Sequence, residues 1–387
     1  MKKIADGVFY CGMHDAQRKV FDQLVPLPQG TTYNSYLVRG ADKTALIDTM
    51  YEKFGGQYMD MIAASGEKID YIVSNHAEPD HSGMIPKLLE TFPEAKVYCS
   101  PKCAENLQNM LGVNPERIAA VADGQELPLG GKTLKFFLTP WVHWPDTMCT
   151  FLVEDSLLFS CDFFGAHYTK HELFADCSPD LALAAKRYYA EIMMPFANFC
   201  AKYLAKTRSL APKMILPSHG PVYKDGDVEF IQNLYAQWTS PATSKKAVIA
   251  YVSMYDNTTL MVDYLENALK KRGIETVKAD LMETDEGELA MELVDASGLV
   301  FGTSMVLTGP HPKSIYAAYL ANILRPKLKV AAVIGSFGWA GNLNAPIESM
   351  FTLTKPEKLP PVLAKGRPDE KTFEELEKLA ETIATKL

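Results

Sequence analysis

The sequence predicts an α/β protein of two domains, in which a mixed-sheet domain precedes a doubly wound parallel sheet. Three observations lead there. The 387 residues are long for one core and comfortable for two. The tract Trp238-Thr239-Ser240-Pro241-Ala242-Thr243-Ser244 is small, polar and broken by proline, as a linker is. Across it the pattern changes from strands of mixed order to strict strand–helix alternation. The expected domains are therefore residues 1–240 and 245–387.

In the first domain, 8–10, 31–38 and 44–48 read as strands, with turn chemistry at Gly40-Ala41-Asp42. A helix over 54–64 leads to a strand ending at Asn75, and strand–helix alternation covers 82–121. Strands are expected at 134–138, 149–153 and 157–160, then one long helix over 181–205 and a short strand at 214–216. That order suits two sheets packed between helices. Past the linker, apolar runs at 247–252, 276–279, 299–302, 330–335 and 362–364 alternate with helical segments, giving a five-stranded doubly wound sheet.

Composition is that of an ordinary globular protein, 47% hydrophobic and 22% charged, and the net charge of −8 argues against non-specific nucleic-acid binding. No apolar run is long enough to span a bilayer and the first residues carry no signal-peptide core, so a cytoplasmic protein is expected. The seven cysteines are scattered, lack any pair of C-x-x-C motifs, and read as buried free thiols.

The chemistry concentrates in Asn75-His76-Ala77-Glu78-Pro79-Asp80-His81-Ser82-Gly83, where four metal-ligand types fall within six residues at the end of an apolar strand. Three later strand ends or turns add His143, Asp162 and His219. Singly, such residues are more often turn residues or helix caps. As a set they are four histidines and three carboxylates, too many for one zinc with an open position. They suit two metals roughly 3.5–4 Å apart that share a carboxylate. The carboxylate share makes the set harder than a typical zinc pocket.

The spacing H-x-E-x-D-H at 76–81, with the distant His143, Asp162 and His219, resembles that of the flavodiiron proteins, also called A-type flavoproteins. The resemblance covers the whole chain. It implies a metallo-β-lactamase-like αββα sandwich followed by a flavodoxin-like domain. It also implies that His76, Glu78 and His143 hold one non-haem iron, Asp80, His81 and His219 a second, and that Asp162 bridges them. Zinc hydrolases of this fold usually have histidine where this chain has Glu78, and a carboxylate there favours iron. Of the nearby residues, His167 and Tyr189 are candidates to orient a ligand or donate a proton, Phe163 and Phe164 to shield the metals, and His14, His171 and His311 receive no role.

In the second domain the first strand runs into Ser253, Met254, Tyr255, Asp256, Asn257 and Thr258 at a helix start, an anion site for the FMN phosphate. Thr303, Ser304 and Met305 after the third strand, and Ser336, Phe337, Gly338 and Trp339 after the fourth, would flank the ring. The family usually has glycine at Asp256, although aspartate tolerates a left-handed backbone better than most residues. The middle loop also departs from the family's Ser-Pro-Thr-x-Asn wording.

The resemblance thus implies an oxidoreductase that reduces O₂ to water or NO to N₂O at a diiron site fed by FMN. It further implies an external donor, rubredoxin or reduced F420, and a head-to-tail homodimer or a dimer of such dimers. The alternative is a dinuclear zinc hydrolase with an accessory flavodoxin-like domain, and a third is an electron carrier or gas sensor that never turns over.

Overall fold

A computed structural model describes every residue except Ala340. It divides into two compact units, Met1–Tyr189 with Phe196–Thr239, and Ala190–Pro195 with Ser240–Leu387.

The first unit is an αββα sandwich. One sheet has the strand order Lys2–Ala5, Val8–Tyr10, Tyr36–Arg39, Thr44–Ile47, Tyr71–Ser74, Lys96–Cys99, Ile118–Ala120. Its first four strands pair antiparallel and the rest parallel. The other sheet runs Glu126–Pro128, Thr133–Leu138, Met148–Leu152, Leu157–Cys161, Met214–Pro217, Tyr223–Lys224. Alternate side chains point inward, so Tyr36, Val38, Ile47 and Val73 of one sheet meet Phe136, Met148, Phe159 and Leu216 of the other in one core. Helices Gly55–Ala64, Ile85–Thr91 and Pro101–Leu111 cover the outer face of the first sheet through Ile62, Leu88 and Leu107. The Pro101–Leu111 helix starts cleanly, with Ser100 accepting from the Cys103 amide and proline at its first position.

Two expected elements of this unit are broken into parts. The span 31–38 is two strands, Thr31–Tyr33 and Tyr36–Arg39, belonging to different sheets. Asn34 breaks it, because its amide donates to the carbonyls of Pro217 and Gly220, both at 2.8 Å, instead of facing a ladder. The long helix over 181–205 is interrupted: α-helix Pro179–Tyr188, a π turn Tyr189–Met193, a 3₁₀ turn Met194–Phe196, then α-helix Ala197–Ser209. Pro195 supplies the cause, since proline has no N–H for the ladder and its ring clashes with the preceding turn.

The second unit is the doubly wound parallel sheet, in the order Glu275–Asp280, Lys246–Tyr251, Gly298–Val306, Val330–Phe337, Val362–Lys365. Helices Asn257–Lys270 and Glu370–Lys386 bury Leu265, Leu269, Leu376 and Ile383 against one face. The third strand is longer than 299–302 because it continues to Val306 and turns back as Gly309–Pro310. Leu307 and Thr308 form that turn with φ of 48° and 69°. Positive φ at both turn residues matches the twist of a tight hairpin.

Candidate metal centre and flavin pocket

Five chain segments bring the seven predicted ligands together in the first unit. His76 follows the strand Tyr71–Ser74, and Glu78, Asp80 and His81 sit on the short helix Pro79–Ser82 or at its N-terminus. His143 comes from the loop before Met148–Leu152, Asp162 ends Leu157–Cys161, and His219 ends Met214–Pro217. All seven are buried except His143, whose side chain is 13% exposed.

They form two groups. The donor atoms of His76, Glu78, His143 and Asp162 lie within 4.8 Å of one another, as do those of Asp80, His81 and His219. Asp162 serves both. Its Oδ2 lies 3.9 Å from His76 Nε2 and 3.5 Å from His143 Nε2, and its Oδ1 lies 3.1 Å from His81 Nε2 and 3.6 Å from His219 Nε2. Asp80 Oδ2 is 3.1 Å from His219 Nε2, yet both Asp80 oxygens and Asp162 Oδ2 are buried with no hydrogen bond. His76 Nε2 lies 3.1 Å from Glu78 Oε2, but the donor atoms of each group converge on one point and leave buried carboxylate oxygens that a bound cation would satisfy.

The electrostatics agree. Burial lowers the basicity of the His76 imidazole, but Asp146 and Glu78 drive it well above its ordinary value. Asp80 and Asp162 drive His81 up to about 10, and Asp162 and Glu78 drive His143 up to about 9. Asp162 is held well below the carboxylate range by His81 and His143 despite its burial. A water-poor pocket with three ligand carboxylates thus stabilises positive charge, which two divalent metals would supply in place of protons.

Residues remote in sequence fix these ligands. Asp146, fully buried, places Oδ2 3.1 Å from His76 Nδ1 and accepts the Ala77 N–H at 2.9 Å. The Thr32 carbonyl lies 2.5 Å from His219 Nδ1, and Asn34 braces the same turn. Asp48 accepts from the Asn75 backbone at 2.7 Å, its side-chain amide at 3.0 Å and the Ser218 hydroxyl at 3.2 Å, tying the residues just before His76 and His219. Such partners set the ring orientation and basicity of metal-bound histidine.

His167 lies beside the centre. Its Nδ1 is 2.8 Å from Thr31 Oγ1, its ring is 5.1 Å from that of His219, and its Nε2 is buried without a partner. Burial, then the neighbouring His219, hold it far below the usual histidine range, so it is neutral. Tyr189 is a correction. Its hydroxyl donates to the Trp238 carbonyl at 3.2 Å and its ring packs on Tyr235 and Trp238, whereas Tyr188 donates to Asp162 Oδ1 at 3.0 Å. Consecutive helical residues point about 100° apart, so a one-residue error of phase exchanges the two. Phe163 and Phe164 stack at 4.0 Å and pack against Tyr235. The rings that contact the site histidines are instead Trp144 on His76, Tyr188 on His167 and His219, Tyr33 on His219, and Phe21 on both His167 and His219.

In the second unit a cavity of about 380 Å³ opens at the strand ends, lined by Met254, Tyr255, Asn257, Ser304, Met305, Ser336, Phe337, Gly338, Trp339 and Gly366. Its size, aromatic walls and the N-terminus of the helix Asn257–Lys270 fit a flavin with an anionic tail. Gly335, next to Ser336 in the fourth strand, is obligatory, since a Cβ would fall 2.2 Å from the Thr303 carbonyl. Gly366, from the turn after the fifth strand, was not foreseen. Thr303 is a correction: its hydroxyl faces away, accepting from the His311 amide at 3.0 Å with Ser314 Oγ at 3.1 Å. Ser253 and Thr258 brace the phosphate loop through the Thr259 amide and Ser304, and Asp256 is exposed with φ of 60°. Ala340, inside the loop after the fourth strand, lies outside the described residues.

A metallo-β-lactamase-like sandwich with clustered histidine and carboxylate donors, joined to a flavodoxin-like unit, defines the class. Residues 31–220 match the family model described as ODP family beta lactamase. The chain is 33% identical to the type A flavoprotein fprA of Rhodobacter capsulatus, covering 89% of this chain and 82% of that one. It is 33% identical to the nitric oxide reductase of Moorella thermoacetica (92% and 90%) and 34% identical to the coenzyme F420H₂ oxidase of Methanocaldococcus jannaschii (89% and 87%). The solved rubredoxin oxygen:oxidoreductase of Desulfovibrio gigas superposes with a TM-score of 0.94 at 29% identity, covering 99% and 98% of the chains. The chain belongs to the flavodiiron, or type A flavoprotein, family.

Proposed function

We propose that this protein is a flavodiiron oxidoreductase that reduces O₂ to water, NO to N₂O, or both. His76, Glu78 and His143 hold one iron, Asp80, His81 and His219 the other, and Asp162 is shared. Residues 1–240 form the diiron domain, and residues 245–387 bind FMN through the loops after their first, third and fourth strands. The observation that carries the reading is the division of Asp162, whose Oδ2 faces one histidine pair and Oδ1 the other. Bound there, the iron pair supplies the redox chemistry and FMN the electrons.

The chain's own groups do the rest. Asp146 and the Thr32 carbonyl fix the rings of His76 and His219, so the donor atoms are oriented before metal arrives. Tyr188 keeps its phenolic proton, because burial and then Asp162 push its pKa well up, and it holds Asp162 Oδ1 by donation. His167, neutral and with Nε2 buried without a partner, lies beside His219 and leaves that ring nitrogen free to meet a bound molecule. Glu78 in place of imidazole favours iron over zinc, and the names carried by the relatives do not favour a hydrolase.

The donor is rubredoxin or reduced F420, the two that relatives' names point to. A head-to-tail homodimer, or a dimer of such dimers, brings one chain's flavin to the other's metals. Among the described residues no helix is long and apolar enough to cross a membrane. The test is steady-state O₂ and NO consumption by the iron- and FMN-loaded protein with rubredoxin, F420H₂ and a chemical reductant in parallel. Consumption of either gas with at least one donor is expected, and inertness in every pairing refutes the proposal.

A further inference from the structure

The hairpin of Val20–Phe21 with Val25–Pro26 pairs with no other strand among the described residues, so no sheet holds it in place. Burial of Phe21 and Val25 in the apolar core, with aromatic and cationic contacts, does. Phe21 is 5% exposed, with its ring 4.9 Å from that of His167 and 5.6 Å from that of His219. The Arg18 guanidinium lies 4.9 Å from the Phe21 ring and 5.2 Å from the Tyr51 ring. Arg18 also donates to the Val20 carbonyl at 3.1 Å and to the Tyr33 hydroxyl at 2.8 Å, and the Tyr33 ring is itself 5.9 Å from His219. At the tip, Asp22 and Gln23 both have left-handed φ, 50° and 55°, and are exposed together with Leu24.

We infer that this hairpin roofs the metal pocket and that Phe21 is its seal, setting whether O₂ is reduced completely or escapes half-reduced. The inference rests on the diiron reading. Complete reduction takes four electrons and four protons per O₂ and yields two waters. The incomplete reaction takes two of each and releases hydrogen peroxide, and in both cases the electrons come from reduced flavin replenished by the external donor. A closed, water-poor site suppresses such side reactions. An apolar ring laid against the imidazoles of His167 and His219 closes this one, and Phe21 and Val25 hold the hairpin down through the apolar core.

The test uses iron- and FMN-loaded protein carrying Phe21→Ala, Phe21→Leu or Arg18→Met. Two quantities are read: peroxide released per O₂ consumed, and the rate at which a chelator extracts iron. Phe21→Ala is expected to raise both several-fold at unchanged starting iron content, with Phe21→Leu restoring values near the parent's. Arg18→Met, which loosens the hairpin without emptying the pocket, is expected to raise both by a smaller factor. It stands in if Phe21→Ala fails to fold or load. Parental values in a folded, loaded Phe21→Ala variant, or in Arg18→Met where that variant stands in, overturn the inference. A parent protein that consumes neither gas defeats the diiron reading instead, and the extraction rates still report on the roof.

Discussion

Replacing Asp146 separates the charge behind His76 from the hydrogen bond that aims it. One oxygen, Oδ2, serves both His76 Nδ1 at 3.1 Å and the Ala77 amide at 2.9 Å, while Oδ1 is buried without a partner. Asp146→Asn can keep both contacts through its carbonyl oxygen, losing the negative charge and placing its N–H₂ at the buried position of Oδ1. Asp146→Ala loses charge and contacts together and frees the ring to rotate. Partners of this kind are worth about 10–100-fold in metal affinity, or roughly 1.4–2.7 kcal/mol. Asn is expected near the lower bound and Ala near the upper. Competitive titration of metal-free protein with Fe²⁺ or Co²⁺ against a chromophoric chelator measures it. Parental affinity in both variants, with melting temperatures unchanged, would refute the claim that Asp146 orients His76.

Three further outcomes follow from the same geometry. Tyr188→Phe removes the donor to Asp162 Oδ1 and should lower gas turnover measurably, because a hydrogen bond to a charged group is worth about 1.5–3 kcal/mol. Tyr189→Phe loses only a contact to the Trp238 carbonyl and should leave turnover unchanged, a contrast read by O₂ or NO electrode. Metal binding should release protons at neutral pH, since His143 and His81 without metal titrate at about 9 and 10. Affinity should then rise with pH up to that window, measurable by calorimetry in buffers of different ionisation enthalpy. The sign for the metal-free fold is opposite: stability from these raised imidazoles is full below the unfolded histidine value and fades as pH climbs through about 9–10. Trp339→Ala should weaken FMN binding by about tenfold, an aromatic contact being worth about 0.5–1.5 kcal/mol beyond area, as fluorescence titration would record.

What was legible in the sequence lay at strand ends. His76, Asp162 and His219 each follow an apolar run, so their convergence at one edge of the sandwich could be read from pattern alone. The residues that hold them could not. The partner of His219 is a backbone carbonyl, at Thr32, and carbonyls leave no trace in a sequence. Asp146 is 70 residues from His76, and Asp48 looked like an ordinary strand terminus. Tyr188 and Tyr189 are adjacent at the end of one helix, and the residue pattern there does not say which of the two phenols faces Asp162. In the second unit the doubly wound alternation gave the sheet, but Leu307 and Thr308 carry no glycine to announce the hairpin turn they form. Gly366 went unseen because only the loops after the first, third and fourth strands were expected to reach the flavin.

The central claim is that the seven side chains hold a redox iron pair fed by FMN. The most direct measurement is a single turnover. Protein of known iron and FMN content is reduced anaerobically and mixed with O₂ or NO, while flavin absorbance is followed beside a sample stripped of iron but not FMN. Two irons and one FMN per chain are expected, with reoxidation by at least one gas much faster with iron than without. Two zincs per chain, or flavin reoxidised at the same rate in both samples by both gases, would contradict that claim.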